Sequence, residues 1–327
     1  MFKRIVKELF LFFLLILAVS FISFLLLDLS PIDPVAAFAR AKSIGLSPEA
    51  KEELIRQWGL DQPLMIRYVS WLRHLLKGNL GVSNIYGREV IEIIREGFSR
   101  SILLMALVWV FQGIIGIGLG IIAGANAGTI KDKFIKAYAI IFASTPSFWV
   151  GIILIIIFSL KLKLLPSSMG SPVGVLTEDV RLIGILRHLI LPCLTLVMVG
   201  ISNLILHTRN KVIDVLNSDY VLYAKARGMK KSEILNKFAF KNLILPGLSI
   251  LFTSFSELFS GTILVENVFN YPGIGSLTVE AGLRGDAPLL LGLVLFSSVF
   301  VYVGNRICDL LFLAIDPRLR GKDETKK

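Results

Sequence analysis

The chain has 327 residues, of which 54% are hydrophobic and only 18% are charged, with a formal net charge of +11. A water-soluble domain of this length carries more charge, because Asp, Glu, Lys and Arg cover its surface. The composition therefore excludes an ordinary soluble enzyme and indicates a membrane protein.

Six long apolar blocks predict six spanning helices, because a bilayer core is crossed by about 20 apolar residues. Helices are favoured over barrel strands, which alternate in polarity over about ten residues. The blocks are 9–27, 101–130, 137–160, 188–208, 242–265 and 287–305, the last extending to 315. The first block exceeds the apolar core of a signal peptide and lacks a small-residue cleavage pattern, so we expect a retained helix.

The distribution of Lys and Arg predicts that the N- and C-termini are cytoplasmic. In that orientation the inner segments contain 19 Lys and Arg among 62 residues, whereas the outer segments contain 15 among 121. Basic residues are known to concentrate on the cytoplasmic side. The inner segments are 1–8, 128–136, 209–241 and 316–327, and the outer segments are 28–100, 161–187 and 266–286. Because the basic residues lie in loops beside spans, we expect no nucleic-acid partner.

The predicted architecture is all-α and transmembrane, in four parts. Residues 1–28 form the cytoplasmic N-terminus and first spanning helix, and 29–100 form a long extracytoplasmic segment between helices 1 and 2. Residues 101–315 form the transmembrane core, which contains the cytoplasmic loop 209–241, and 316–327 form a cytoplasmic tail.

The extracytoplasmic segment is too long for a plain connection and has helix signals of its own. The run 47–49, Ser-Pro-Glu, predicts an N-cap and first turn, and Gly59 predicts the end of that helix. A second helix is predicted from Pro63 to near Gly78. Its apolar stripe contains Tyr68, Trp71, Leu72 and Leu75. These amphipathic helices either lie on the outer leaflet or cover the outer mouth of a pathway.

Glycine and proline patterns predict how the spanning helices pack and bend. Gly116, Gly120 and Gly124 recur every four residues, which permits close approach of another helix. Three prolines lie in or at the start of helices 3, 4 and 5 and are expected to kink them. They are Pro146, Pro192 and Pro246.

The loop 209–241 is too polar to span and too regular for a linker. Tyr220, Ala224 and Gly228 share one helical face, and Lys231 lies among the basic residues that follow. We expect Gly228 to end one short helix and Lys231 to begin another. Such a hairpin could enter a groove of a cytoplasmic partner, with its basic rim supplying charge complementarity. The pattern fits an interfacial amphipathic helix equally well.

The run Asp219 to Gly228, with 238–246, resembles the "EAA" loop of ABC-importer permeases, particularly those of the dipeptide, oligopeptide and nickel branch. The resemblance covers nearly the whole chain and implies that Ala224 and Gly228 dock an ATPase, with Tyr220 and Lys231 beside them. Leu222 stands where the family nominally has a glutamate. Further motifs that carry the resemblance are at 59–68, 78–81, 265–275 and 316–320.

The chain contains no Gly-x4-Gly-Lys-Ser/Thr phosphate loop, so we expect a transport subunit and not an enzyme. The resemblance implies that two cytoplasmic ATPase subunits bind ATP and Mg²⁺, and that this chain holds no cofactor or metal. It also implies a second homologous permease, an extracytoplasmic substrate-binding protein, and a multi-pass position in a prokaryotic cell membrane. The expected cargo is peptides, with nickel or a metal chelate as the alternative. A passive channel has no need for a docking loop. A membrane-embedded enzyme would need a cluster of catalytic polar residues within its helices, and the sequence shows none.

Two further positions are candidates for cargo or partner contacts. Glu257 interrupts the fifth apolar block, and a membrane carboxylate is expected to face a cavity or a partner. It either lines the pathway and attracts a cationic group or forms a structural pair, for example with Arg306, which could also pair with Asp309. The turn-rich run Tyr271, Pro272 and Gly273 is either a contact for the binding protein or a plain reentrant turn.

Overall fold

A computed structural model describes residues 2–42, 45–167, 182–234 and 240–315. The tail 316–327, Phe238 and most of the second outer segment lie outside these ranges. The described chain consists of helices joined by turns: α1 (Phe2–Asp28), α2 (Pro34–Lys42), α3 (Pro48–Gln57), α4 (Leu64–Leu76), α5 (Val90–Ala125), α6 (Ile130–Ala143), α7 (Ser147–Leu154), α8 (Leu182–Leu216), α9 (Asp219–Ala226), α10 (Lys231–Ile234), α11 (Phe240–Thr253), α12 (Phe255–Val268), α13 (Ile274–Arg284) and α14 (Ala287–Ile315). A π-helical segment, Ile155–Lys161, continues α7.

Four of these helices are long and apolar enough to cross a bilayer on their own. They contain the candidate spans Val6–Asp28, Val90–Ala125, Arg187–Leu216 and Ala287–Leu311. Two bent helix pairs, α6 with α7 and α11 with α12, raise the number to six if each pair is one span. Within the described ranges the fold is therefore all-helical, with four to six candidate spans.

The second and third apolar blocks differ from the expected continuous spans. The second helix begins at Val90, eleven residues before the block, because charged residues in its first turns do not prevent helix formation. The third block is broken between α6 and α7, whose axes differ by 106°. Pro146 has an extended backbone at this break. Proline lacks an N–H and disfavours helical geometry in the preceding residue, so the expected kink is a complete break.

The fifth block bends at Ser254 and not at Pro246, where a kink was expected. The helix α11 continues through position 246, and α12 starts after Ser254 at an angle of 52°. The hydroxyls of Thr253 and Ser254 donate to the carbonyl oxygens of Ile250 and Leu251, both at 3.0 Å. Side chains that bond to nearby backbone carbonyls bend helices. Pro192, in contrast, lies inside the unbroken α8.

The structure divides into two compact units, of which the first comprises the described residues of Met1–Ser101 and Pro272–Tyr302. Its core contains Phe24, Tyr68 and Leu291, against which Trp71 and Leu72 pack. The Tyr68 hydroxyl lies 2.8 Å from the hydroxyl of Ser20 in α1. The apolar stripe of α4 therefore packs against α1 within this unit. Neither predicted role of the stripe, on lipid or over a pathway, describes this contact.

Local helix signals in this unit are confirmed. Ser47 caps α3 by accepting a hydrogen bond from the Ala50 amide at 3.2 Å. Gly59 and Gly78 follow α3 and α4 with φ angles of +63° and +79°. Glycine enters this left-handed region without a steric penalty, which is why it ends helices.

A buried carboxylate joins two loops of the same unit. Asp286, which is completely buried, accepts hydrogen bonds from the Ser83 hydroxyl at 2.6 Å and from the Ile85 amide at 3.0 Å. The Tyr86 hydroxyl donates to Glu280 at 2.6 Å. Burial, together with this hydrogen bond to Glu280, raises the pKa of the Tyr86 phenol well above its usual range. These bonds fix the loop after α4 to the turn between α13 and α14.

The second unit comprises the described residues of Ile102–Tyr271 and Val303–Lys327. In it the predicted glycine stripe of α5 packs against α8, which confirms the expected close approach. A Cβ atom on Gly120 would lie 2.5 Å from the Thr208 Cβ, and one on Gly124 would lie 2.5 Å from the Val212 Cβ. Gly116 faces Leu204 in the same way. At Gly120 and Gly124 a Cβ atom would also meet backbone carbonyl oxygens of α8, so these two positions require glycine.

A buried ion pair joins α6 to the same helix. Asp132 is 2% exposed and accepts hydrogen bonds from the Arg209 Nη2 and from the Gly128 amide, both at 2.8 Å. The Arg209 Nε donates to its second oxygen. The carboxylate thus ties the turn between α5 and α6 to α8.

The glycine stripe predicts opposite effects for two substitutions on one helix. Gly120→Ala places a methyl group against Thr208 and is expected to destabilise the protein by about 1–3 kcal/mol, the usual cost of overpacking. Gly118→Ala is the matched control, because no atom lies within 4 Å of its Cβ position. It should be neutral or stabilising, since alanine favours helices by up to about 1 kcal/mol. Thermal unfolding of the detergent-solubilised protein measures both, and equal melting temperatures would contradict the packing.

The buried ion pair predicts a large loss of stability for Asp132→Asn. Removing one member of a buried pair typically costs about 3–5 kcal/mol, because the remaining charge loses its partner. Asp214→Asn is the control, since the Asp214–Lys211 pair is 3.8 Å long and both side chains are more than half exposed. Exposed pairs contribute less than about 1 kcal/mol. Chemical denaturation should separate the two variants, and similar midpoints would show that the buried pair is not stabilising.

Candidate functional site

The helices α9 and α10 form the predicted hairpin after the end of α8. Ser218, with an extended backbone, precedes α9 and donates its hydroxyl to the Val215 carbonyl at 2.6 Å. The first turn of α9 contains Asp219, whose charge favours a helix N-terminus. Gly228 follows α9 at φ +82°, which confirms that it ends this helix. Lys231 begins α10 as predicted, and its side chain lies outside the described part of the chain.

The inner side of this hairpin is an apolar cluster. Val221, Ala224 and Ile234 are each less than 5% exposed and pack against Val215 and Leu216 at the end of α8. Ala224 is therefore not exposed on the outer side of the hairpin, and its role in docking an ATPase stays a prediction. Its small side chain instead occupies the position where α9 meets α10. The sequence pattern places Tyr220, Ala224 and Gly228 on one helical face. Their exposure differs in the structure, because α9 and α10 pack against each other.

The outer side of the hairpin exposes a patch of large side chains. Tyr220, Leu222 and Tyr223 are 45%, 54% and 63% exposed. The Arg227 guanidinium lies 5.3 Å from the centre of the Tyr223 ring. Exposed apolar side chains surrounded by polar ones mark interaction surfaces. Sequence reasoning missed Leu222 and Tyr223 in this role, although Leu222 had been noted as a departure from the family pattern.

A direct mechanical connection links the hairpin to the predicted membrane region. Because α8 is an unbroken helix of 35 residues, it is about 52 Å long, whereas a bilayer core is about 30 Å thick. Its last turns contact the hairpin cluster, and Arg209 of the buried ion pair lies seven residues before the helix ends. The Lys225 ammonium also donates to the Leu216 carbonyl at 3.3 Å. Displacement of the hairpin is therefore transmitted to α8.

A second candidate feature is a stripe of exposed residues along the end of α11 and α12. They recur in steps of three and four, which places them on one face. Glu257 lies in the stripe, and the opposite face of α12 is buried, including Phe259 and Glu266. The stripe contains Thr253, Glu257, Ser260, Leu264 and Asn267. A mostly polar stripe on an otherwise apolar helix is unsuited to contact with lipid acyl chains.

Arg306, the candidate partner of Glu257, forms a different ion pair. Arg306 pairs with Asp309 at 3.5 Å, as their spacing predicted. Within the part of the chain that the structure describes, Glu257 makes no ion pair. It therefore remains an exposed carboxylate on a candidate span.

The turn between α12 and α13 does not have the exposure that a partner contact requires. Tyr271 is 1% exposed, and Pro272 and Gly273 are also buried. The Tyr271 amide donates to the Glu266 carbonyl at 2.8 Å, and the Ile274 amide donates to the Ser101 hydroxyl at 2.8 Å. In this structure the turn packs against the rest of the chain, and a contact of these residues with a binding protein stays a prediction.

Comparisons with known proteins agree with this arrangement. The family described as the inner membrane component of binding-protein-dependent transport systems matches residues 116–321, and the N-terminal part of such membrane components matches residues 1–87. The oligopeptide transport system permease protein AppB of Bacillus subtilis is 30% identical, covering 93% of this chain and 95% of AppB. The metal-staphylopine import system permease protein CntB of Staphylococcus aureus is 32% identical, covering 98% and 99% of the two chains. The chain therefore belongs to the family of inner membrane components of binding-protein-dependent transport systems, and is a multi-pass permease of the prokaryotic plasma membrane.

Proposed function

We propose that this chain is one of two homologous permease subunits of an ATP-driven importer, and that its α9–α10 hairpin docks a cytoplasmic ATPase. The observation that carries the proposal is the exposed patch Tyr220, Leu222 and Tyr223 on a hairpin fixed to the end of α8. Two ATPase subunits bind ATP and Mg²⁺ and supply the work. An extracytoplasmic binding protein delivers the cargo.

The proposed topology has six spans, with each bent pair crossing the membrane once. Both termini and the hairpin are cytoplasmic, and residues 29–100 are extracytoplasmic. The concentration of Lys and Arg in the inner segments supports this orientation. The division into 1–28, 29–100, 101–315 and 316–327 is retained in this proposal.

The docking surface is the outer face of the hairpin. Tyr220, Leu222, Tyr223 and Gly228 contact the ATPase, and Lys231 contributes to the basic rim. Ala224 acts indirectly, because it lets α9 and α10 pack closely and so holds the outer face in position. Closure of the ATPases on ATP moves the hairpin and α8 together, which switches the permease between two packed states.

The translocation pathway runs along the exposed stripe that contains Glu257. An uncompensated carboxylate at bilayer depth costs about 2.5–3.5 kcal/mol, so this face requires water or a partner. A pathway formed with the second permease satisfies this requirement for the whole stripe. Within it, Glu257 attracts a cationic group on the cargo.

Peptides are the proposed cargo, because AppB is named for oligopeptide transport. The second candidate is a metal chelate, favoured by the similarity to CntB, which is named for metal-staphylopine import and matches over 98% of this chain. Both readings use the same machinery, since the binding protein selects the cargo. Uptake assays with the binding protein and labelled peptides or metal chelates distinguish them.

The docking proposal predicts that Leu222→Asp detaches the ATPase. A charge at the centre of a docking patch is expected to reduce the amount of co-purified ATPase by about tenfold or more, because central apolar contacts dominate such interfaces. Leu76→Asp is the matched control, since Leu76 is also exposed, at 76%, but lies at the end of α4. Quantitative pull-down from membranes measures both variants. Full retention of the ATPase by Leu222→Asp would contradict the docking surface.

The pathway proposal predicts selective loss of cationic cargo in Glu257→Gln. Removing the carboxylate should lower the uptake of peptides with basic side chains several-fold, with little change for neutral peptides. Glu257→Asp keeps the charge and is expected to retain most of this uptake. Transport into proteoliposomes containing the complete importer provides the measurement. Unchanged uptake of every peptide by Glu257→Gln would exclude this residue from the pathway.

A further inference from the structure

A large cleft lies within the first unit, among α1, α2, α3, α4, α13 and the start of α14. Its volume is about 1110 Å³, and all of its lining residues belong to this one unit. The transport machinery proposed above does not use it. The cleft is large enough to hold a small molecule or the chain of an amphiphile.

Part of the cleft lining is apolar and comes from two candidate spans, α1 and α14. Phe24 and Leu27 come from the last turns of α1, while Leu291 and Val294 come from the first turns of α14. Val294 lies seven residues inside the candidate span that starts at Ala287, which is about 10 Å along the helix. One leaflet of the hydrocarbon core is about 15 Å thick. The lining residues of α14 thus extend over a length comparable to much of one leaflet.

The outer part of the cleft is basic. Lys42 and Arg56 lie on α2 and α3, and Arg67 and His74 lie on α4. None of the described residues that line the cleft is an aspartate or glutamate. The lining therefore favours a negatively charged group at the end nearest residues 29–100.

Two of these basic groups remain available to a ligand. Arg67 is held by Asp28 and lies 5.7 Å from the centre of the Phe24 ring, so it forms part of the wall. The contact of Arg56 with Glu52 is 3.9 Å long, and both side chains are more than 70% exposed. Such a contact is weak and easily exchanged. Lys42 is exposed.

We propose that this cleft binds an anionic phospholipid from the adjacent leaflet, with an acyl chain against Phe24, Leu27 and Leu291 and the phosphate group near Lys42 and Arg56. The apolar and the basic lining residues match the two chemically different ends of such a lipid. Each basic residue near a membrane surface favours an anionic lipid by about fivefold. The bound lipid fills the cleft and stabilises the packing of the 29–100 segment.

Photoreactive lipids test this proposal in the complete importer. The complex is reconstituted into nanodiscs containing phosphatidylglycerol or phosphatidylcholine with a photoreactive acyl chain, and adducts are mapped by mass spectrometry. Labelling of the cleft residues of α1 and α14 should be about 25-fold higher with phosphatidylglycerol, because Lys42 and Arg56 each contribute about fivefold. Equal labelling by the two lipids would overturn the preference for an anionic headgroup. Absence of labelling by either lipid would assign the cleft to a protein segment and overturn the proposal.

Two pairs of variants separate the site from general effects of charge and bulk. The double variant Lys42→Gln with Arg56→Gln should abolish the preference for phosphatidylglycerol. The control double variant, Arg73→Gln with Lys77→Gln, removes the same charge from residues outside the cleft and should retain this preference. Ser70→Phe places a ring in the cleft and should reduce labelling, whereas Val69→Phe, on an exposed neighbour outside the lining, should not. If a variant and its control in either pair showed the same lipid labelling, the assignment of the lipid to this cleft would be overturned. Glycerol phosphate in excess should not compete, because it lacks the acyl chain.

Discussion

The continuity of α8 is the constraint on which the proposed mechanism depends. The helix runs over 35 residues without a break, with Pro192 inside it. Pro192 cannot donate to the carbonyl four residues before it. Closing backbone hydrogen bonds within a helix is the condition for crossing a region without water. The same helix ends in the hairpin cluster. The surface proposed for the ATPase is therefore joined to the span by the continuous chain and by side-chain packing.

The contacts around α8 are suited to transmitting force, because they hold the neighbouring helices at short and well-defined distances. Glycines on α5 allow backbone contact, so the two helices cannot slide past each other without a clash. The Asp132–Arg209 pair adds a directed connection to α6 near the hairpin. Packed interiors resist deformation and move between discrete arrangements. The bends at Pro146 and Ser254 lie in other helices, where they shape the bundle without interrupting α8.

Local and periodic features were predictable from the sequence. The N-cap at Ser47 and the helix ends at Gly59, Gly78 and Gly228 follow from side-chain and backbone chemistry within a few residues. The glycine stripe of α5 was recognisable from its period, although its partner helix was not. The apolar blocks predicted where helices occur but not that one begins at Val90, because helix formation continues through charged residues outside the bilayer.

Features that depend on tertiary packing were not predictable in the same way. Ala224 and Tyr271 occur in patterns typical of exposed helices and turns, yet each is buried by residues from other elements. The bend at Ser254 results from two hydroxyl groups bonding to backbone carbonyls, which a search for proline overlooks. The cleft of the first unit joins residues from six separate helices, none of which is distinctive alone.

The rigid connection between α8 and the hairpin can be measured directly. Spin labels at the exposed positions Lys211 on α8 and Ala226 at the end of α9, outside the docking patch, report the distance between the two elements by double electron–electron resonance. In the assembled importer, the account predicts one narrow distance distribution that is unchanged between the nucleotide-free and ATP-bound states. A distribution that broadens or shifts on ATP binding would show that the hairpin moves independently of α8 and would contradict the proposed transmission of force.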